Sequence, residues 1–391
     1  MVITTSTADK VLKTAYLDVI SEYLDYGVNP FFAKIKKTSD NVWGKEIKKL
    51  VKTGYNNGVG AGSETGDLPE PGNQDYKEFV ITLKNLYGTI QISDKAIRAS
   101  QNKSGAFTNI LNDEVESLMK AANYNFSRML FGDGNGVLGE FEFVGENGGH
   151  KVTNAKNFSI GTKFMIYNEN SKEYLGDGKV FTVTSVNAEE SIIGFDLGDC
   201  TPYGGELLVI PNAYGNELTG LKSIFDRSVK TLYGLTKSQN TTLLPHVVNN
   251  AGDISEMLIQ KAIDHVEDTC GGKINFILCS SGVKRALIEH MSTYRRNLDM
   301  LELQGGYKTV SFNGIPVVSD RFCPEGTMYL LNTDDFAIHQ LCDWEWIEGE
   351  DGKILKQLPD KPVYRATLVK YAEMLCSRPW AQIMIAGINE K

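Results

Sequence analysis

The residues best suited to chemistry in this 391-residue chain are its glycine-rich phrases, five histidines and six cysteines. Gly134-Asn-Gly136-Val-Leu-Gly139 has the letters of a dinucleotide-binding G-x-G-x-x-G, whose glycines let a pyrophosphate approach the backbone at a helix N-terminus. Here the phrase follows a helical pattern and none comes after it, so a helix-ending turn is expected. Asp133-Gly-Asn135-Gly-Val137 opens like a calcium loop, but valine stands where an oxygen ligand belongs and the closing glutamate is missing. Gly271-Gly272-Lys273 runs into isoleucine, and Glu267 takes the place of the leading glycine, so no phosphate loop is read there.

The histidines (His150, His246, His265, His290, His339) form no H-x-x-x-H pair, and no serine lies in a G-x-S-x-G elbow. No catalytic, cofactor-binding or metal-ligating residue is assigned, and no cofactor is expected. The enzymatic alternative is a cysteine hydrolase, which needs a thiol of depressed pKa beside a histidine distant in sequence. Cys200, Cys270, Cys279, Cys323, Cys342 and Cys376 contain no C-x-x-C pair and read as reduced thiols rather than a zinc cluster or a disulfide framework. Trp344-Glu-Trp346 puts two indoles on one strand face. That face is a sugar platform in a binding-module reading; packing beneath a neighbouring element is preferred.

The unusual residues are spent elsewhere, in charge and glycine. Residues 31–53 carry seven lysines against two acids, a local +5, whereas 56–78 carry five acids against Lys77, a local −4. The glycines of Gly54–Gly72, with Pro69 and Pro71, make that stretch an exposed loop. The whole chain has a net charge of −9, the wrong sign for affinity based on neutralising phosphates. No apolar run approaches the roughly 20 residues of a membrane-spanning helix, and Met1–Lys10 lacks the apolar stretch of a signal peptide.

These segments need elements to position them. Apolar spacing predicts a helix over Ala8–Leu24, stopped by Asn29-Pro30, and a long one over Phe107–Phe131. Phe79–Ile92 alternates as a strand or hairpin arm, so the loop before it should project as two strands. Residues 139–211 become short strands between Gly, Asn and Asp turns, with 11 acids against five lysines, and read as an inserted all-β domain. Helix and strand then alternate: a helix capped at Asp253 with Glu256 three residues on, a strand over Ile274–Cys279, a helix over Ser281–Met291, and strands around an Asn313-Gly314 turn. Long strands close the chain over Ala366–Tyr371 and Gln382–Ile388. The class is α+β.

The order of these elements resembles the major capsid proteins of tailed bacteriophages, the Hong Kong 97 type capsid fold. Leu130-Phe-Gly-Asp-Gly-Asn-Gly136 is similar to that family's stop after its spine helix, and Gly220-Leu221 to the pair that follows, so the insert interrupts the motif. Gly314-Ile-Pro-Val-Val-Ser-Asp320 with Pro324-Glu-Gly-Thr-Met-Tyr-Leu-Leu331 is similar to its late axial-domain phrase. The resemblance implies an N-terminal arm (1–52), an extended loop (53–92), a peripheral domain with the spine helix (93–138), the insert (139–218), an axial domain (219–345) and a return to the peripheral domain (346–391).

By the same resemblance the chain is a structural, non-enzymatic major capsid protein forming hexamers and pentamers of an icosahedral head around double-stranded DNA. An encapsulin-like compartment shell is the alternative. The implied partners are further copies, a portal protein, DNA bound without sequence specificity, and a separate scaffolding protein, because no charged helical scaffolding segment precedes the arm. Assembly in the bacterial host cytoplasm and residence in the virion capsid follow, with no membrane. The assembly contacts assigned are Glu64, Asp67 and Glu70 on the loop and Lys45, Lys48 and Lys49 on the arm, with a tight turn at Gly54 as one way to bring them together.

Overall fold

The structure, a computed structural model, describes residues 29–40, 42–44, 46–95, 104–144, 149–196, 198, 204–294, 300–302, 308–350 and 352–390, with backbone alone for 43, 104–113, 144, 293–294, 300–302 and 308. The helix expected over Ala8–Leu24 lies outside these residues, as do Lys45 and Cys200. Two compact units emerge, one of Met1–Arg128 with Ile224–Lys391 and one of Met129–Ser223.

Along the chain, β1 (Lys36–Thr38), β2 (Val42–Trp43), β3 (Glu46–Lys52), β4 (Tyr76–Thr82) and β5 (Lys84–Ser93) precede α1 (Ser104–Met129). Then come β6 (Val137–Val144), β7 (Gly149–Val152), β8 (Lys163–Asn168), β9 (Glu173–Tyr174), β10 (Phe181–Thr182), β11 (Ser185–Asn187), β12 (Ile192–Gly194) and β13 (Leu207–Val209). The short α2 (Leu221–Phe225) is followed by β14 (Thr231–Leu232), β15 (Leu235–Thr236), β16 (His246–Val248), α3 (Glu256–Cys270), β17 (Phe276–Cys279) and α4 (Ser281–Tyr294). The last strands are β18 (Met300–Glu302), β19 (Lys308–Phe312), β20 (Ile315–Ser319), β21 (Thr327–Leu331), β22 (Phe336–Trp346), β23 (Lys356–Gln357), β24 (Val363–Cys376) and β25 (Ile383–Ala386).

The first unit contains a five-stranded sheet in the order β1-β22-β24-β23, with β5 also on β24. The run Phe79–Ile92 is two strands rather than one, because the ladder breaks at Leu83: β4 pairs with β3 and β5 pairs with β24. A seven-stranded sheet runs β16-β25-β21-β17-β20-β19-β18. Ile259, Ile263 and Val266 of α3 and Val283, Leu287 and Met291 of α4 fill its core with Ile277, Val317, Leu330 and Ile383. β22, which but for its last residue falls in the segment 219–345, lies in the five-stranded sheet, and β25, in the segment 346–391, lies in the seven-stranded one.

Ser255, not Asp253, caps α3, its Oγ accepting the Leu258 N–H at 3.2 Å, because Glu256 already occupies the first helical position. Asp253 instead accepts from the Asn389 side-chain amide at 2.8 Å. Gly271 closes the same helix with φ 61°; its N–H donates to the Glu267 carbonyl and that of Gly272 to the Val266 carbonyl, which explains the Gly271-Gly272-Lys273 phrase.

In the second unit an eight-stranded sheet runs β10-β8-β13-β6-β7-β12-β11, with β9 on β8. Its core is aromatic: the Phe164 ring meets those of Phe158, Phe181 and Phe195 at 4.9–5.9 Å. The turn after α1 is sealed within this unit. Asp133 accepts from the Asn135 N–H at 3.0 Å and the Lys222 ammonium at 2.9 Å, while the Leu221 N–H reaches the Leu130 carbonyl at 2.8 Å. Gly220 lies so close beneath that a Cβ there would stand 2.3 Å from the Met129 carbonyl oxygen.

Gly220→Ala should therefore cost about 1–3 kcal/mol, read as a lower urea midpoint, since backbone must shift to admit the methyl. Gly62→Ala, whose Cβ would meet a carbonyl oxygen at an ordinary 3.5 Å, should leave the midpoint unchanged.

A second expectation concerns Asp320, at the end of β20 and 5% exposed. Oδ1 accepts the Phe322 N–H at 2.9 Å, but among the described residues Oδ2 has no partner. Burial raises its pKa to about 6 against the opposing pull of that N–H and of Arg321. The folded-state pKa lies above the unfolded one, so the stability it contributes is full below about pH 4 and is lost as pH rises through about 6. Asp320→Asn should raise stability at neutral pH by on the order of 2 kcal/mol, a gain that vanishes toward pH 4. Urea midpoints at the two pH values measure this.

Candidate assembly surface

β3 and β4 pair antiparallel from Glu46↔Thr82 to Lys52↔Tyr76, and the ribbon continues beyond them. The Thr53 N–H donates to the Asp75 carbonyl at 3.0 Å, Gly58 faces Gly72, and the chain reverses at Ser63–Gly66, where the Gly66 N–H reaches the Ser63 carbonyl at 3.1 Å. A Cβ on Gly72 would stand 2.5 Å from the Gly58 nitrogen, so the two legs approach closer than side chains permit. From Glu46 to the tip such a ribbon reaches up to about 60 Å if fully extended. Its root is fixed in the first unit. Ile47 and Phe79 are fully buried, the Phe79 ring lies 5.3 Å from that of Tyr233, and the Val80 N–H donates to the Tyr233 carbonyl at 3.0 Å. Lys77 bonds the Asn240 side chain.

Outward of the root, burial ends abruptly. Tyr55, Val59 and Leu68 are 85%, 89% and 89% exposed, with Leu50 and Tyr76 exposed behind them. Apolar side chains held this far from any core of their own are the mark of a surface another molecule covers.

The sequence-assigned residues fall on this arm but not together. Glu64, Asp67 and Glu70 are exposed at and beyond the tip, whereas Lys48 and Lys49 lie near the root opposite Val80 and Phe79; Lys45 lies outside the described residues. The tight turn expected at Gly54 is instead at Ser63–Gly66, and among the described residues no ion pair joins these acids to Lys48 or Lys49. Strand register forbids it within one chain, because it carries the acids toward the tip and the lysines toward the root. Lys49 turns inward: burial lowers its pKa against the pull of Cys376 and Asp335. The apolar tip was missed by sequence reasoning that looked only at charge. Its signal was there, as Tyr55, Val59 and Leu68 are the large apolar residues of an otherwise polar glycine run.

The other chemistry-bearing residues take structural places. Trp344 and Trp346 are both buried. Burial raises the Cys279 thiol to about 12 and Cys376 well above its usual value, and raises Cys342 too, which is opposite to nucleophile activation. His246 and His265, unrelated in spacing, stack with ring centroids 4.0 Å apart where β16 meets α3.

No family model and no curated protein sequence matches the chain. Among solved structures, the cyanophage A-1(L) capsid asymmetric unit is similar over 99% of this chain and 99% of that one, at TM-score 0.57 and 14% identity. The chain has the Hong Kong 97 type capsid fold. More distant likenesses are an encapsulin complex from Synechococcus elongatus (TM-score 0.46, 9% identity, 93% and 89% of the two chains) and the capsid of a native GTA particle (0.46, 11%, 91% and 89%). Among the described residues, no helix is long and apolar enough to cross a membrane.

Replacing Tyr55, Val59 and Leu68 together by serine should leave the thermal midpoint within about 1 °C, since exposed positions carry little stability. The same variant should lose self-association by sedimentation. A lowered midpoint would show that the tip is packed within its own chain.

Proposed function

We propose that the chain is a tailed-phage major capsid protein, a non-enzymatic shell subunit that forms hexamers and pentamers of an icosahedral head around double-stranded DNA. The observation that carries this reading is the arm, rooted in its own sheets and presenting Tyr55, Val59 and Leu68 uncovered among the described residues. In a ring of copies each tip finds a different surface on the next, the heterologous contact from which closed rings are built. The capsid fold supports the same reading. The five-stranded sheet with α1 then serves as peripheral domain, the seven-stranded sheet as axial domain, and the second unit as the insert.

The net charge of −9 suits a container of polyanion, because a lining that gripped DNA would impede filling. Separate scaffolding and portal proteins complete the proposed assembly, which takes place in the host cytoplasm and ends in the virion capsid. Glu64, Asp67 and Glu70 are proposed to meet Lys45 and Lys48 of another copy, each pair weak but repeated in every subunit.

Negative-stain microscopy tests this. Expressed alone, the chain should give tubes, sheets or particles of mixed size, and with its genomic neighbours uniform heads containing DNA. Shells filled with a protein cargo would move the assignment to an encapsulin-like compartment, and a dispersed monomer under all conditions would end the shell reading. Reversing Glu64, Asp67 and Glu70 to lysine should block assembly, and Lys45→Glu with Lys48→Glu should partly restore it. Wild-type yield should also fall as salt shortens the Debye length from about 10 Å to 3 Å.

A further inference from the structure

A buried imidazole lies beside the root of the arm. His339 lies within β22, between Thr38 of β1 and Glu373 of β24 in the register, and is 3% exposed. Its Nδ1 is 3.3 Å from the carbonyl oxygen of Asp40, in the turn that carries the chain from β1 into β2 and the arm. Its Nε2 is buried and, among the described residues, has no hydrogen-bond partner. A neutral ring with the proton on Nδ1 satisfies this geometry, donating to Asp40 and leaving a lone pair unused. A second proton would put a cation and an unpaired donor in the same space, which is far costlier.

The neighbours decide how that charge would be received. Lys36 on β1 and Lys49 on β3 both act on the ring as like charges, and Asp40 opposes them. Glu373 on β24 accepts its own chain's Met374 N–H at 2.9 Å. Asp335, which acts on Lys49, is engaged by Arg378 at 2.8 Å. Burial first, and then the Lys49 charge, lower the His339 pKa, against the pull of the Asp40 carbonyl.

We propose that His339 is a proton-operated lock on the arm: neutral, it holds the Asp40 turn and the arm's root against the five-stranded sheet, and protonated it sets a cation against Lys36 and Lys49 and frees them. The sign follows from linkage. Opening exposes the imidazole and restores its ordinary affinity for a proton, so acid favours the open root. The lock is a property of the single chain, whereas its effect on assembly rests on the reading of the arm as the contact between copies.

Hydrogen exchange followed by mass spectrometry on the full chain tests it, at about pH 7.5 and about pH 5, with exposure times scaled for the intrinsic rate. The expected result is a loss of protection confined to residues 36–52 and 76–82, up to about tenfold for each unit by which the His339 pKa rises on opening, with β17 and β21 unchanged. His339→Asn, which keeps a donor for Asp40 and cannot titrate, should abolish the difference. Lys49→Met keeps the ring, removes the nearest like charge on the arm, and should shrink the difference.

Equal loss of protection in wild type and in either variant would overturn the lock, as would a loss spread over the whole chain or none at all. Light scattering in parallel separates the two claims. An exchange difference that leaves particle yield indifferent to pH keeps the lock and removes the arm from assembly.

Discussion

A single strand paired along both edges holds the first unit together. β24 runs fourteen residues, with β22 on one edge from Cys376 to Leu368 and β5 on the other from Ala372 to Val363. Within this strand Lys370 is fully buried, ion-paired with Asp343 and 3.0 Å from the Gln340 side chain, with its ammonium 5.5 Å from the Phe126 ring of α1. Burial alone would raise the Asp343 carboxyl, yet the Lys370 charge and hydrogen bond, the Trp344 N–H and Lys37 together outweigh it and hold the pKa below its usual value. Asp343 keeps 41% of its side chain exposed, so the expensive change would be to leave the buried Lys370 ammonium without its partner. Lys370 thus ties β22 to β24 beside α1.

That register sets what the arm can do. β5 reaches β24 only because the ladder breaks at Leu83, and β4, released, turns away with β3. Phe79 and Tyr233 anchor the root, and the glycines beyond Lys52 let the two legs close without side chains between them. An arm made this way gains nothing from its own burial past the root. The apolar area at its tip becomes favourable only when another surface covers it, which ties the fold of the arm to association.

Desolvation moves three ionisable groups away from their usual ranges. Asp320 is raised to about 6 at the end of β20, Lys237 is lowered by burial to about 8 where it donates to the carbonyls of Ile224 and Asp226, and His339 is lowered beneath the arm. All three are dominated by desolvation, so each marks a place where packing was favoured over solvation of a charge. Lys237 and His339 favour the folded state more as pH rises, Asp320 as it falls.

Periodicity and punctuation alone determined the long helix over most of Ser104–Met129, the β-rich character of 139–211, the Asn313-Gly314 turn (φ 49° and 78°) and the exposure of Gly54–Gly72, because each depends on neighbours in sequence. The α+β class and the capsid fold were legible in the order of those elements. Tertiary structure decided what depends on partners far away. It chose Ser255 over Asp253 as a cap by fixing where the first helical turn begins, and moved the reversal of the arm from Gly54 to Ser63–Gly66 through strand register. It placed β25 between β16 and β21, strands far apart in sequence, and gathered Asp40, Lys49 and His339 near one root. Local spacing carries no trace of such meetings, since burial and register are set by which surfaces cover one another.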